Sequence, residues 1–337
     1  MSRPASNAGR RRYRVAMSIM HEVERLARAG KPREGIALIE RAAAAADPEA
    51  MFILANWRLW GLYGAKDLGA THALLEQAAV AGWREAATLR ATLIGNGTGC
   101  ASDPARARQM LEMLAPDDPG AAAQIRLFDA MTPSHVTESL SKDPDVRFAR
   151  AFLSAGECAY LIAKAQPQLR PSMIIDEVTG QPRPHPVRTS SSMNFGPTDE
   201  DLVIHAINRR IAALTRTEVA AGEPLHILRY TTGQEFRPHL DAIAGAANQR
   251  QWTALIYLND GYEGGETVFP EIGITTIGQP GDCLIFRVSA NDGTTDLRLR
   301  HAGLPVSGGI KWLASRWIRQ RPYEAEVRPR YASTTPG

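Results

Sequence analysis

Residues 225–318 contain the stretch that decides the fold: LHILRYTTGQEFRPHLDAIAG at 225–245, TALIYLNDGYEGGETVFP at 253–270, PGDCLIFRV at 280–288 and RHAGLPVSGGIKWLASRWI at 300–318. Each apolar run is short, rich in Ile, Leu, Tyr and Thr, and bounded by Gly, Pro, Asn or Asp. Runs of this kind are typical of short strands joined by turns, so the region is predicted to form a β-sandwich or barrel.

Two histidines and one aspartate in this region have a pattern that can bind a metal. His239 and Asp241 are two residues apart, and side chains on a strand point the same way at every second residue. With His301, they would supply two imidazoles and a carboxylate to one side of a metal, which is the ligand set of non-haem Fe(II) oxygenases. A bare His-x-Asp pair is more often part of a surface loop, so the surrounding sequence has to decide.

The surrounding sequence closely resembles the catalytic core of the prolyl 4-hydroxylase family of Fe(II)/2-oxoglutarate dioxygenases. Four pieces carry the resemblance, in the order of the family and at compatible spacings: LRYTTGQEFRPHLD (228–241), YLN with GGETVFP (257–270), PGDCLIF (280–286) and HAGLPVSGGIKW (301–312). The resemblance implies a double-stranded β-helix, or jelly-roll, for this part of the chain.

The resemblance also implies roles for individual residues. Lys311, ten residues past the second histidine, would pair with the distal carboxylate of 2-oxoglutarate. A buried ammonium needs an acidic partner, whereas a lysine at a strand edge usually extends into water. Tyr230 matches a tyrosine that contacts the co-substrate, and Thr267 is a further candidate for the same pocket. Three residues would be the iron ligands: His239, Asp241 and His301.

The substrate is less well defined by the sequence. Arg250 matches a position that contacts peptide substrate in some relatives, and Trp317 shares strand parity with Lys311, so both are candidate substrate-binding residues. The loop after Asp241 is short for the family and lacks the usual aromatic residues beside the aspartate. His185 lies in a Pro-rich loop, where a solvated histidine is expected rather than a fourth ligand.

The function implied by the resemblance is hydroxylation of a substrate C–H bond, with a peptidyl-proline as the first candidate, as in procollagen-proline 4-dioxygenases. Fe(II) would be the cofactor, 2-oxoglutarate and O2 the co-substrates, succinate and CO2 the co-products, and ascorbate the reductant. Two alternatives stay open: the same chemistry on another amino acid or a small molecule, and a repeat scaffold carrying an inactive oxygenase fold. The inactive scaffold predicts the loss of a triad residue or of Lys311, and none is lost.

The N-terminal part has a different pattern, with alanine, leucine and charged residues at helical spacing. Residues recur at an interval of 36, for example Gly61 with Gly97 and Asp67 with Asp103. The phrase LLEQAAVAGWREAA (74–87) resembles Sel-one-like repeats of the tetratricopeptide superfamily. Stacked repeats bury a shared core, which Trp57, Trp60 and Trp83 are expected to fill.

Two interpretations of this helical array stay open. It can dock a peptide or protein substrate on a concave surface, or it can stabilise the chain without binding a ligand. Only two repeats are clear, and solenoids that fold independently usually have three or more.

The predicted architecture is therefore α+β and multidomain. It comprises a basic tail at 1–12, a helical repeat domain at 13–133, a linker at 134–145, the dioxygenase domain at 146–323 and a disordered tail at 324–337. The arginine-rich start could also mimic an organelle transit peptide.

Composition excludes several other classes. The net charge of +3 is too small to argue for nucleic acid, and no apolar run of about 18 residues predicts a membrane span. The three cysteines (Cys100, Cys158 and Cys283) show no paired spacing, which fits a reducing compartment, and the expected location is cytoplasmic.

Overall fold

The computed structural model describes residues 19–132, 136–175, 182–184 and 187–323. These residues form two compact units that divide between Ile125 and Arg126. The first unit is built from helices, and the second contains two large antiparallel sheets with helices beside them. The predicted fold class, a helical region followed by a jelly-roll, is confirmed. The predicted tails at 1–12 and 324–337 and the loop residue His185 lie outside the described residues.

The helices of the first unit follow one another through short turns. They are α1 (residues 19–28), α2 (Pro32–Ala44), α3 (Pro48–Trp60), α4 (Leu68–Val80), α5 (Arg84–Asn96), α6 (Pro104–Leu114) and α7 (Pro119–Asp129), the last of which spans the division.

The 36-residue repeat marks matching helix boundaries. Gly61 and Gly97 follow α3 and α5 with φ angles of 67° and 82°, a left-handed conformation that glycine adopts without strain. Asp67 and Asp103 then cap α4 and α6, and their carboxylates accept hydrogen bonds of 2.8 and 2.9 Å from backbone N–H groups three residues on. In both repeats, a glycine thus ends one helix and an aspartate six residues later caps the start of the next.

Small residues allow these helices to pack closely. The core contains fully buried alanines alongside Ile39, Met51, Leu75 and Leu93. Three tryptophans pack against it, as predicted from the sequence: Trp57, Trp60 and Trp83.

The second unit contains short strands and two longer helices. The helices are α8 (Ala155–Ala165) and α9 (Leu202–Thr215). The strands are β1 (Thr137–Lys142), β2 (Asp145–Ala149), β3 (Arg170–Pro171), β4 (Met173–Ile175), β5 (Pro182–Pro184), β6 (Ser191–Asn194), β7 (His226–Thr231), β8 (Phe236–His239), β9 (Arg250–Tyr257), β10 (Glu263–Gly264), β11 (Thr267–Phe269), β12 (Ile274–Thr276), β13 (Cys283–Arg287), β14 (His301–Gly303), β15 (Val306–Gly308) and β16 (Ile310–Arg319).

Most strands belong to two antiparallel sheets. The larger sheet has the order β1-β2-β13-β9-β16-β7-β6-β3, and the smaller has the order β12-β11-β14-β8. Two further pairs, β10-β15 and β4-β5, are separate ribbons.

The larger sheet is buried on both faces. Along β13, Cys283 and Ile285 belong to a core that also includes residues of α8 and α9. Leu284 and Phe286 alternate with them and belong to a second core, shared with Phe269 of the smaller sheet. The near-continuous apolar runs in the sequence follow from this double burial.

Both helices begin at a capping residue. Ser154 and Glu157 form a capping box at the start of α8, where the Ser154 N–H donates to Glu157 Oε2 over 2.7 Å. Asp201 caps α9 through hydrogen bonds from two backbone N–H groups.

The region predicted as a linker contains regular structure. Thr137–Lys142 forms β1, which pairs with β2 at one edge of the larger sheet. The polar sequence TESLSK gave no apolar alternation that could have revealed this strand. None of the helices in the described residues is both long enough and apolar enough to cross a membrane.

Candidate active site

Three metal-ligating side chains converge where β8 meets β14. His239 ends β8 and lies directly opposite His301, which begins β14. Asp241 lies two residues beyond the end of β8, yet its carboxylate faces both imidazoles. His239 Nε2 is 3.5 Å from Asp241 Oδ1, and His301 Nε2 is 3.7 Å from Asp241 Oδ2. The three ligand atoms lie within 4.8 Å of one another, a spacing that suits a shared metal ion.

Backbone carbonyls orient both imidazoles. Nδ1 of His239 lies 2.8 Å from the carbonyl oxygen of Arg237, and Nδ1 of His301 lies 3.0 Å from that of Leu299. A carbonyl oxygen can only accept, so each Nδ1 carries a proton, and in the neutral ring each Nε2 presents its lone pair. Nε2 of His239 is buried and forms no hydrogen bond with a described residue.

Asp241 is held as a carboxylate. Its Oδ2 accepts a hydrogen bond of 2.7 Å from the hydroxyl of Thr253, which is fully buried on β9. Burial raises the pKa of Asp241, but the two nearby imidazoles and the Thr253 hydroxyl outweigh it, and the pKa lies well below its usual value. Burial lowers the pKa of His301, which favours the neutral form that binds a metal.

Lys311 supplies a buried cation to the same cleft. Its side chain is 3% exposed, and Nζ donates a 2.6 Å hydrogen bond to the carbonyl oxygen of Gly265. Burial lowers the pKa of Lys311 to about 8, against the opposing charge of Glu266. The lysine therefore does not extend to water from a strand edge, and an anionic ligand would restore its charge balance.

The two predicted co-substrate residues also line this cleft. Tyr230 on β7 is the register partner of Lys311 on β16, and burial raises the Tyr230 pKa to about 12. Thr267 is 3% exposed, and its Oγ1 accepts a 3.3 Å hydrogen bond from Tyr257. The cleft is bounded by side chains from both sheets, which include Tyr230, His239, Asp241, Thr267, His301, Lys311 and Trp317.

The two predicted substrate residues lie together but differ in access to the cleft. Trp317 lines it, whereas Arg250 stacks on the Trp317 ring with its guanidinium carbon 4.0 Å from the ring centroid. Arg250 also forms a two-pronged ion pair with Glu223, at 2.7 and 2.8 Å, and donates to the Asp241 carbonyl oxygen. Arg250 thus supports Trp317 and the ligand loop, and its direct contact with substrate stays a prediction.

Several polar groups near the site could not be recognised from the sequence. Ser315 Oγ and Trp317 Nε1 line the cleft, and His226 Nδ1 lies beside them on β7, opposite Ser315. All three atoms are buried without a hydrogen-bond partner among the described residues. Burial lowers the pKa of Arg188, which also lies close enough to Tyr230 and Asp241 for their charges to raise it. No motif in the sequence gives this arginine a role.

The donor set fits Fe(II). Two neutral imidazoles and one carboxylate on one side leave open coordination positions, and carbonyl and hydroxyl groups behind the ligands fix their orientation. The buried, unpartnered Nε2 of His239 is an atom that a metal would satisfy.

Comparison with known proteins agrees with this geometry. The family model of the 2OG-Fe(II) oxygenase superfamily matches residues 225–319, which contain the triad and Lys311. Probable prolyl 4-hydroxylase 3 of Arabidopsis thaliana is 35% identical over 212 residues, covering 56% of this chain and 74% of the relative. Prolyl 4-hydroxylase 1 of the same plant is 36% identical over 203 residues, covering 55% and 72%.

A solved structure is also similar. The viral collagen prolyl hydroxylase of Paramecium Bursaria Chlorella virus-1, in complex with 2-oxoglutarate, is 26% identical, with a TM-score of 0.42; the match covers 52% of this chain and 95% of the viral chain.

The predicted cofactors are confirmed at the level of the family, which uses Fe(II), 2-oxoglutarate and O2, with ascorbate as reductant. The matched residues 225–319 lie within the second unit, and they include the whole triad. This chain belongs to the prolyl 4-hydroxylase family of Fe(II)- and 2-oxoglutarate-dependent dioxygenases.

Proposed function

We propose that this protein hydroxylates peptidyl-proline, with His239, Asp241 and His301 as the iron ligands. The convergence of these three side chains beside a buried lysine is the observation that carries the proposal. Fe(II), with 2-oxoglutarate and O2, supplies the oxidising power that converts a C–H bond into C–OH while succinate and CO2 are released.

The chain's own residues prepare the site for that chemistry. The carbonyls of Arg237 and Leu299 keep both Nε2 atoms directed at the ion, and Thr253 holds the Asp241 carboxylate. These contacts are local or come from the sheet core, so the ligand arrangement exists before a metal arrives.

Lys311 would bind the distal carboxylate of 2-oxoglutarate, with Tyr230 and Thr267 in the same pocket. All three side chains are nearly fully buried and line the cleft. The low exposure excludes water, which strengthens an ion pair between ammonium and carboxylate.

The other part of the cleft suits a peptide. Trp317 offers an aromatic surface and an indole N–H, and Ser315 offers a hydroxyl, both without partners among the described residues. A peptide carbonyl accepts hydrogen bonds from such groups, and a prolyl ring packs on an aromatic face. Arg250, held by Glu223, would keep Trp317 in place.

Turnover and product mass test the proposal. Protein loaded with Fe(II) is incubated with 2-oxoglutarate, ascorbate and a library of proline-containing peptides. We expect succinate in step with O2 consumption, and peptides heavier by one oxygen atom at proline. The variant His239→Ala should lose both the bound metal and succinate formation, whereas His21→Ala in the helical unit should keep them.

The outcomes separate the alternatives. Succinate without peptide hydroxylation, together with oxidation of a free amino acid or another residue, would contradict a prolyl substrate but keep the chemistry. Unchanged metal content in His239→Ala would contradict the ligand assignment. Absence of metal binding and succinate in the wild-type protein would favour the inactive scaffold.

A further inference from the structure

Three tyrosine rings surround the ammonium of Lys311. The ring centroids of Tyr257, Tyr230 and Tyr262 lie 5.5, 5.9 and 6.0 Å from Nζ. Tyr230 and Tyr257 belong to the strands of the larger sheet, whereas Tyr262 comes from the turn that precedes β10. None of the sequence motifs gives Tyr262 a role.

The three hydroxyl groups differ in how they are satisfied. The Tyr257 hydroxyl lies 3.3 Å from Thr267 Oγ1 and 3.1 Å from Thr276 Oγ1. The Tyr230 hydroxyl interacts with Ser190. The Tyr262 hydroxyl is buried, and no described residue forms a hydrogen bond with it. A buried hydroxyl without a partner lowers stability, so an unpaired phenol whose ring centroid lies 6.0 Å from the Lys311 ammonium calls for an explanation.

The backbone holds Tyr262 against the lysine. Gly264 and Gly265 have φ angles of 68° and 71°, and the carbonyl oxygen of Gly265 accepts the hydrogen bond from Lys311. A Cβ placed on Gly265 would lie 3.1 Å from Lys311 Cδ and 3.7 Å from Tyr262 Cε2, so both side chains converge on this glycine. The segment at Gly264 and Gly265 thus brings the Tyr262 ring and the Lys311 side chain close together.

We propose that the Tyr262 hydroxyl is a second donor to the distal carboxylate of 2-oxoglutarate, beside Lys311; this role rests on the proposed function of the site. A carboxylate has about four acceptor positions, and one ammonium cannot fill them, because Lys311 already donates one proton to the Gly265 carbonyl oxygen. A phenol O–H adds a charge-assisted hydrogen bond. Burial raises the pKa of Tyr262, so the hydroxyl keeps the proton that it would donate.

The variant Tyr262→Phe tests the role by ligand binding. Calorimetric titration uses protein loaded with Zn(II) in place of Fe(II), which prevents turnover. The Kd for 2-oxoglutarate should rise about tenfold or more, because a charge-assisted hydrogen bond is lost. The Kd for oxalate, which can chelate the metal but has no distal carboxylate, should stay at the wild-type value. Tyr63→Phe, at an exposed position of the helical unit, is the matched control.

Thermal unfolding separates this role from a structural one. Without ligand, Tyr262→Phe should melt at the wild-type temperature or above it, because the substitution removes an unsatisfied buried hydroxyl. Wild-type affinity for 2-oxoglutarate in Tyr262→Phe would overturn the proposal. A lower melting temperature with equal losses for both ligands would overturn it as well, in favour of a structural hydroxyl. A wild-type protein that binds no 2-oxoglutarate would refute the proposed function itself.

Discussion

His239 and His301 are each oriented by the carbonyl oxygen of the residue two positions earlier in the chain, Arg237 and Leu299. The same local solution therefore occurs on two strands that are far apart in sequence. The third ligand is positioned differently, because Asp241 lies outside β8 and depends on a hydroxyl from β9. Two ligands are thus fixed locally and one by the tertiary fold.

Lys311 should make 2-oxoglutarate affinity depend on pH. The co-substrate dianion prefers the protonated lysine, and burial lowers the pKa of that lysine to about 8 in the free protein. Above this pH, binding must be accompanied by proton uptake, so affinity falls as pH rises. Between pH 7 and pH 9 we expect the Kd of Zn(II)-loaded protein for 2-oxoglutarate to rise about tenfold, measured by calorimetric titration.

Two variants control this experiment. Lys311→Arg keeps its charge over the whole range and should show a flat profile, even where its affinity is weaker. Lys311→Ala should lose about 1.5–3 kcal/mol of co-substrate affinity while retaining the metal, because it removes a charge partner and not a ligand. Oxalate reports any titration of the metal site itself. A flat wild-type profile would contradict the assigned role of Lys311.

Sequence motifs pointed to part of the candidate site, and the rest of it is brought together only by the fold. The triad and Lys311 belong to stretches that resemble the family, and the structure places them in one cleft. No pattern reveals that the Thr253 hydroxyl holds the Asp241 carboxylate, or that the Tyr262 ring lies beside the Lys311 ammonium. The alternation of side chains along a strand predicted that Asp241 lies beside His239, and it does. The reason is incomplete, because β8 ends at His239 and Asp241 lies beyond the strand.

One of the two strands that carry the triad histidines lies at the edge of its sheet. β8 is the edge strand of the smaller sheet, and only a few backbone hydrogen bonds hold it to β14. A metal bound between His239 and His301 would cross-link this strand pair. Binding to the native state alone raises the free energy of opening.

Hydrogen exchange should detect that cross-link. On addition of Zn(II), amides in β8 and β14 should exchange more slowly, whereas amides in the central strands β9 and β13 should change little. His239→Ala should abolish the effect and leave the metal-free exchange pattern intact. Uniform slowing across both sheets would instead mean that the metal acts on global stability.

At the level of elements, the apolar pattern predicted strands well and polar strands poorly. β13 reads CLIFR and is buried on both faces, so its sequence is a clear strand signal. β1 reads TESLSK at a sheet edge, and only its pairing with β2 makes it a strand. Polar residues at such an edge discourage pairing with another chain. Because they replace the apolar residues of a typical strand, the sequence of β1 does not show a strand pattern.

At the level of the molecule, β1 determines where the second unit can be cut. A protein that starts at Asp143 lacks β1 and exposes the edge of β2. It also lacks Leu127 and Met131, which pack against the core of the second unit. We expect residues 118–323, which keep α7 with its cap at Asp118, to unfold cooperatively and turn over 2-oxoglutarate. Residues 143–323 should melt several degrees lower or aggregate, as measured by calorimetry and light scattering.

The same pair of proteins addresses the helical array. We propose that the array docks the protein substrate; residues 118–323 should then react with short peptides as the full chain does, yet lose affinity for a larger natural partner. Equal hydroxylation of that partner by both proteins would contradict docking. Equal stability of the two truncated proteins would contradict the importance of β1.

The alternation of side chains along β16 limits how the substrate specificity of this enzyme can change. Lys311, Ser315 and Trp317 face the cleft, while Trp312, Ala314 and Arg316 alternate with them and face the helices. Lys311 and Trp317, the proposed co-substrate and substrate residues, thus lie six residues, or about 20 Å, apart along the axis of β16. A single inserted residue between them would turn Trp317 into the core and Arg316 into the cleft. We therefore expect changes in substrate specificity to arise in the loops that face β16. An insertion within the strand would move every side chain after it to the opposite face of the sheet.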